Sequence, residues 1–309
     1  MDLHQIEYVV RLADTQSLTK TAEEVFISPS ALSQYLAKLE KDLGAPLFKR
    51  VKGSWPLTEV GESYVKASRE IIQRFKQMKK DINDIITNEV GLINMGITSP
   101  KSSRMFAGVF PRFKERYPNI RIKLSEGRAR DLNLMAEKGI LDMVFSTSGF
   151  EYPGLSCQAL LHERFVLTVP KTHHMAHLAN NAPKGKLATV DLRLFANEPF
   201  MLASPNMTFR LITDRMFAEA GFAPNIVFET YNAPTLYSLV DSGYGVSVIP
   251  MGYMNKKGAS VYFLTEPLGE WDNTVVYAKG SRLSKAEEYF ISLAREFYKT
   301  EFGYINNLP

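Results

Sequence analysis

Ser30, Ser33 and Gln34 fall on one side of a short helical pattern, and hydroxyl and amide groups so spaced can read the edges of DNA bases. Lys38 continues that side with a cation suited to a phosphate. Ser28 stands just before the pattern as a helix cap. Pro29 takes the first helical position, where a missing N–H costs nothing. Leu32, Leu36 and Leu39 fall on the opposite side. A helix whose outer face is short, polar and not acidic fits a DNA major groove. Arg50 and Lys52 follow as further phosphate-binding candidates. Bulk charge does not carry this reading. The chain has a formal charge of +4, and cations and acids balance over residues 1–57. From Ser28 to Leu57, however, cations outnumber Glu40 and Asp42, and phosphate contacts need local cations.

A second chemistry lies further along. Thr98-Ser99-Pro100-Lys101-Ser102-Ser103-Arg104 joins a strand pattern to a helix pattern. Free N–H groups at such a turn, with hydroxyls beside them, bind anions. Ser204-Pro205-Asn206-Met207-Thr208-Phe209 has the same relation to its neighbours. Thr147, within Ser146-Thr147-Ser148, and Tyr231-Asn232 end two further strands. The candidate ligand-contacting residues are therefore Thr98, Ser99, Lys101, Ser102, Ser103, Thr147, Ser204, Asn206, Thr208, Phe209, Tyr231 and Asn232. The expected ligand is a small anion or carboxylate, with no cofactor.

Other chemistries are poorly supported. His173, His174 and His177 are close in sequence but stand in a loop pattern with no acid or thiol ligand nearby, so no metal site is expected. Gly243-Tyr244-Gly245 lacks the third glycine of a dinucleotide fingerprint, and Gly245-Val246-Ser247 lacks the second glycine of a nucleophile elbow. No catalytic residue is assigned, and the chain is not expected to be an enzyme. The single cysteine, Cys157, cannot close an intramolecular disulfide and is expected to be a buried structural thiol. The opening residues carry acids and no signal-peptide core, and no run of about 18 apolar residues exists to span a membrane. A cytoplasmic protein with no membrane contact is expected.

Residues 3–14 form a first helix pattern, with Leu3, Ile6, Val9, Val10 and Ala13 on its buried side. A helix-turn-helix follows from Leu18 to Ala37. Val51 to Pro56, with Gly53 at the tip, reads as a wing, and Trp55 as its packing anchor. Thr58 then caps a long helix, uninterrupted by Pro or Gly over 62–88. Along it Tyr64, Ile71, Met78 and Ile85 recur every seven residues, with Val60, Ala67, Phe75 and Ile82 on the intervening line. Polar residues flank this stripe, so a partner helix is expected to cover it.

Beyond Gly91 strands and helices alternate, which predicts a mostly parallel sheet. Strands are expected at 92–97, 120–124, 142–145, 165–169, 199–202, 226–229, 246–249, 261–264 and 274–277. Helices are expected at 103–117, 130–138, 208–220, 234–242 and 284–299. Two α/β lobes with a cleft between them would bind a ligand beyond the strand ends.

Residues 17–58 resemble the winged helix-turn-helix of LysR-type transcriptional regulators. The resemblance runs without a gap for about 60 residues, through Leu39-Glu40, Leu43-Gly44, Leu47-Phe48, Arg50, Leu57-Thr58 and Gly61. Gly139-Ile140-Leu141-Asp142, Val169-Pro170-Lys171-Thr172-His173 and the run from Val240 to Pro250 extend it through the chain. Pro29-Ser30 departs from the Gln-Pro of many relatives, which bears on the DNA sequence preferred rather than on docking.

The resemblance implies an α/β chain with an N-terminal α winged domain (1–58), a linker and dimerisation helix (59–89) and a two-lobed domain (90–309) resembling type 2 periplasmic binding proteins. Lobe I would be 90–163 with 269–309, and lobe II 164–268. It also implies a homo-oligomer, a dimer of dimers, on double-stranded operator DNA, with RNA polymerase as a candidate partner. The expected function is a DNA-binding transcriptional regulator modulated by a small-molecule effector between the lobes. A solute-binding module without a regulatory role and a ligand-independent regulator are the alternatives.

Overall fold

A computed structural model describes residues 3–51, 53–86, 90–98, 100–148, 152–205, 207–255 and 257–302. The chain divides into two compact units, residues 1–88 and 89–309.

The first unit opens with α1 (Leu3–Thr15), α2 (Leu18–Glu24) and α3 (Pro29–Leu43). Ser17 caps α2, and Ser28 caps α3 by accepting a 3.1 Å bond from Ala31 N. Gly44, at φ +72°, closes α3 in the left-handed conformation that a residue without Cβ adopts freely. Glu40 then holds the chain leaving α3. Its Oε1 accepts from Leu47 N at 2.7 Å and Phe48 N at 3.2 Å. Leu36, Leu39, Leu47 and Phe48 are buried together against α1 residues Val9 and Leu12.

Thr58 starts α4 (Glu59–Ile86), its hydroxyl accepting from Gly61 N at 2.9 Å. A Cβ on Gly61 would lie 2.0 Å from the Leu47 carbonyl oxygen, so only glycine lets the helix approach the strand-like segment this closely. Two sides of α4 differ. Val65 and Ser68 are buried, and Arg69 pairs with Asp14 of α1 at 2.7 Å. Val60, Ile71, Met78 and Ile82 are 45–47% exposed.

The second unit carries β1 (Gly91–Ile97), α5 (Pro100–Arg116), β2 (Ile120–Glu126), α6 (Ala129–Glu137), β3 (Met143–Thr147) and β4 (Leu155–Pro170). Next come β5 (Ala188–Asp191), β6 (Pro199–Ala203), α7 (Thr208–Ala220), β7 (Asn225–Thr230), α8 (Ala233–Asp241) and β8 (Ser247–Pro250). The chain ends with β9 (Ser260–Glu266), β10 (Glu270–Ala278) and α9 (Lys285–Phe302).

The main sheet runs β2-β1-β3-β10-β4-β9-β5, with β8 also on β4. Its β1–β2, β1–β3 and β5–β9 pairs are parallel, whereas β4 and β10 run antiparallel to their partners. The sheet is thus mixed rather than mostly parallel. The cause is β4, which is much longer than its apolar run at 165–169. Its first half mixes polar residues (Gln158, His162, Glu163) with apolar ones and pairs with β10 from Leu155 to Arg164. Its second half pairs with β8 and β9. One strand therefore crosses from the first lobe to the second, and the β9–β10 connection is the other crossing.

Each lobe has its own core. Met95, Phe113, Phe145 and Phe290 are buried in the first, and Phe165, Phe200, Phe217 and Phe263 in the second. α5 begins at Pro100, three residues before the apolar pattern suggests, because proline suits the first helical position. That early start decides where Lys101 and Ser102 point.

Candidate functional site

α3 presents its polar side outward. Pro29, Ser30, Gln34 and Lys38 are exposed and Ser33 is half-buried, while Leu32 and Leu36 are buried behind them. Ser28 is exposed, but its hydroxyl caps the helix and lies 3.0 Å from that of Ser30. Arg50 sits with its guanidinium carbon 5.7 Å from the centre of the Trp55 ring. Trp55 in turn packs edge-on against Phe48 at 6.2 Å. The wing is short, with antiparallel bridges Phe48–Leu57 and Val51–Ser54. Lys52 lies outside the described residues.

On α4, Ile71, Met78 and Ile82 are exposed, as is Ala67. Tyr64 is instead half-buried against the first unit's core, and burial raises its hydroxyl above the ordinary tyrosine value. Phe75 is half-buried beneath Lys79, whose Nζ lies 4.6 Å from the ring centre. The side chain of Ile85 lies outside the described residues.

Between the lobes lies a cleft of about 870 Å³. Thr98, Thr147, Thr208, Phe209 and Tyr231 line it. Thr98 is tied back by its hydroxyl, which donates to the Phe145 carbonyl at 3.2 Å. Ser99 and Asn206 lie outside the described residues. Ser103, Ser204 and Asn232 are not on the cleft wall; Ser204 is buried, and Asn232 opens α8.

Lys101 and Ser102 correct the expectation most clearly. Counted from Pro100, both fall on the inward side of α5, near Met105 and Val109. Ser102 is buried and hydrogen-bonded with Tyr298. Lys101 is 4% exposed and forms a buried ion pair with Glu163. Its Nζ also lies 5.2 Å from the centre of the Tyr253 ring and 5.5 Å from that of Phe302. Glu163 Oε2 accepts from Trp271 Nε1 at 2.8 Å and Asn273 Nδ2 at 2.9 Å, and its Oε1 accepts from Gly252 N at 2.6 Å. A Cβ on Gly252 would lie 2.7 Å from both Glu163 Oε1 and Lys101 Nζ, so glycine leaves room for the pair. Burial pushes the Lys101 ammonium down from its ordinary value, against the pull of Glu163. Burial alone would raise Glu163, but Lys101, Trp271 and Asn273 together hold it below the usual carboxylate range. This cluster knots β4, β10 and α5 where the chain crosses between lobes, and Trp271 and Tyr253 carry it to the cleft wall.

The cleft's exposed cations come from elsewhere. Arg128, which precedes α6, and Arg130, in its first turn, line it. Arg128 bonds Asp131 at 2.8 Å. Arg130 has no ion pair among the described residues. Tyr152, Tyr253 and Trp271 add rings to the wall. Sequence reasoning missed these residues, although the β2–α6 turn stands in the same strand-to-helix relation as the two loops it singled out.

Two further expectations change. Glu198, distant in sequence, meets the histidines: its Oε2 is 2.9 Å from His173 Nε2 and its Oε1 3.8 Å from His174 Nε2. His173 Nδ1 accepts from Met175 N at 3.2 Å, which turns the ring so that Nε2 faces Glu198. Cys157 is exposed rather than buried, because its position in β4 lies outside the short apolar run. Partial desolvation still pushes its thiol up, away from the reactive thiolate.

Comparison with known proteins gives the class. The family model for the lysR-family bacterial regulatory helix-turn-helix matches residues 3–62, and that for the LysR substrate binding domain matches 87–299. The chain belongs to the LysR family of DNA-binding transcriptional regulators. It is 30% identical over 312 residues to the uncharacterized HTH-type transcriptional regulator YcgK of Bacillus subtilis, covering 98% of this chain and 96% of that one. A full-length OxyR variant from Pseudomonas aeruginosa shares the fold at a TM-score of 0.71 and 22% identity, covering 96% of this chain and 95% of that one. The effector binding domain of QuiR in complex with shikimate matches 69% of this chain and 99% of its own length, at a TM-score of 0.57 and 18% identity. No helix among the described residues is long and apolar enough to cross a membrane.

Proposed function

We propose that this regulator binds its operator as a homodimer, assembled further as a dimer of dimers, and that a small anionic effector in the cleft sets its activity. The α3 side carrying Ser30, Ser33 and Gln34 reads base edges, and Lys38 and Arg50 hold phosphates. The exposed row Val60, Ile71, Met78 and Ile82 on α4 supports self-association, since a stripe of this kind favours burial against a second helix. Exposed Ile226, Val227 and Phe228 on the edge strand β7 support a second contact.

The observation that carries the effector reading is Arg130, an exposed cation with no ion pair among the described residues, on a cleft wall that also holds rings, aliphatic groups and the mutually paired Arg128 and Asp131. Thr147, Thr208 and Tyr231 supply hydroxyls around it. Such a wall favours a small ring-bearing carboxylate over a cation or an extended polar chain. Shikimate on the QuiR domain is consistent with that class. The ligand acts by favouring one subunit arrangement over another, with altered DNA bending or contact with RNA polymerase as the output. A chain that reads chromosomal DNA works in the cytoplasm, and it needs no catalytic turnover.

Thermal shift of the full-length protein against a panel of carboxylates and their amides tests this reading, followed by calorimetry. Arg130→Gln removes a charged hydrogen bond worth roughly 1.5–3 kcal/mol, so affinity should fall at least about ten-fold. A cationic effector, or equal binding by Arg130→Gln, refutes it. Mobility shift on operator DNA separates the regulator from a mere solute-binding module, and its response to ligand separates it from a ligand-independent regulator.

A further inference from the structure

Two non-glycine residues among those described have a positive φ, and both lie in turns of the DNA-binding unit. Gln16, at φ 52°, has local reasons for it. Its carbonyl accepts from Trp55 N and its side-chain Oε1 accepts from Ser54 Oγ, both at 3.2 Å, which ties the α1–α2 turn to the wing. Phe26, at φ 58°, is different. It follows the Val25 cap of α2, in the position that helices usually give to glycine. The backbone closes normally there, with Phe26 N donating to Glu23 O at 3.3 Å and Ile27 N to Ala22 O at 3.0 Å. The ring, however, is 94% exposed, more than any other large apolar side chain among the described residues. A bulky residue in the left-handed region strains the backbone, and this side chain recovers none of that cost by packing.

We propose that Phe26 is a DNA contact, placed to rest against the C5-methyl group of a thymine in the operator major groove. The surface around it supports this. Phe26 stands two residues before Ser28, the cap of α3, and after half-buried Ile27 the exposed residues Ser28, Pro29, Ser30 and Ala31 lead into the base-reading side. The family's DNA function thereby provides an occupant for a ring that has no partner within its own unit. Apolar contact with the thymine methyl is one of the few ways a side chain without polar atoms can read a base. The turn thus reads DNA at the expense of the domain's own stability.

The test uses full-length protein and a duplex selected from a randomised pool by the parent. Phe26→Gly and Phe26→Asn both suit a positive φ and remove the ring. Each should weaken binding of the selected duplex by about ten-fold. Hydrogen exchange of the α2 and α3 amides should be as slow as in the parent or slower, because the strain is gone. Replacing thymines one at a time by deoxyuridine should reveal a position where loss of the methyl group weakens the parent but not Phe26→Gly. Undiminished affinity in both variants overturns the proposal. So does a deoxyuridine penalty that survives unchanged at every position in Phe26→Gly, or an affinity loss accompanied by faster exchange in α2 and α3.

Discussion

Replacing Glu163 by glutamine should destabilise the second unit far more than its small change in shape suggests. The carboxylate receives four donors: Lys101, Trp271 and Asn273 at Oε2, and Gly252 N at Oε1. Glutamine keeps one acceptor oxygen. Whichever way its amide turns, an NH2 group faces at least one donor, and Lys101 loses its counter-charge while remaining buried. Removing one partner of a buried ion pair costs about 3–5 kcal/mol, and an unsatisfied buried donor adds about 1–3 kcal/mol. The expected loss is therefore at least about 4 kcal/mol, against a total stability of about 5–15 kcal/mol for an ordinary domain. Lys101→Met should cost less, because the carboxylate keeps three neutral donors. The double variant should cost less than the sum, with a coupling of about 0.5–3 kcal/mol. Urea unfolding of full-length protein reports this through Trp271, in a background where Trp55, the other of two tryptophans, is replaced by phenylalanine. A Glu163→Gln unfolding free energy within about 0.5 kcal/mol of the parent's would refute the reasoning.

The same carboxylate sets an acid limit. Its folded pKa lies below the ordinary value, so its stabilisation is complete above about pH 4.3 and is lost as pH falls through the lower folded value. Acid titration should show a shallower loss for Glu163→Gln below that pH. On α4, Ile71→Glu should put an unpaired carboxylate where an apolar partner is expected, and light scattering should then report a smaller assembly. An unchanged mass would reject α4 as the seam. On α3, Gln34→Ala should cost about 1–3 kcal/mol on the selected duplex and relax its preference, while Lys38→Ala should weaken all sequences alike and lower the salt slope by about one. Binding titrations at several salt concentrations distinguish the two.

What the sequence determined by itself is what local periodicity and turn chemistry control. Ser28 and Pro29 start α3 because a capping hydroxyl and a preset φ act on their own backbone, and the leucine spacing chooses the buried side. The same holds for α4 and for the strand–helix alternation of the second unit. Contacts between residues far apart in the chain follow other rules, and only the tertiary structure decided them. The polar half of β4 is a strand because β10 pairs with it, not because of its own pattern. Lys101 reads as a loop cation beside two serines, yet Glu163, 62 residues away, draws it into the interior. Arg128 and Arg130 then bring exposed cations to the cleft, where the chain enters α6 with no hydroxyl to mark it. Phe26 looks apolar enough for a core, but a turn with positive φ points its ring into solvent. A side chain's type limits what it can do, and its non-local neighbours settle which of those things it does, because burial and charge compensation depend on the whole packed surface.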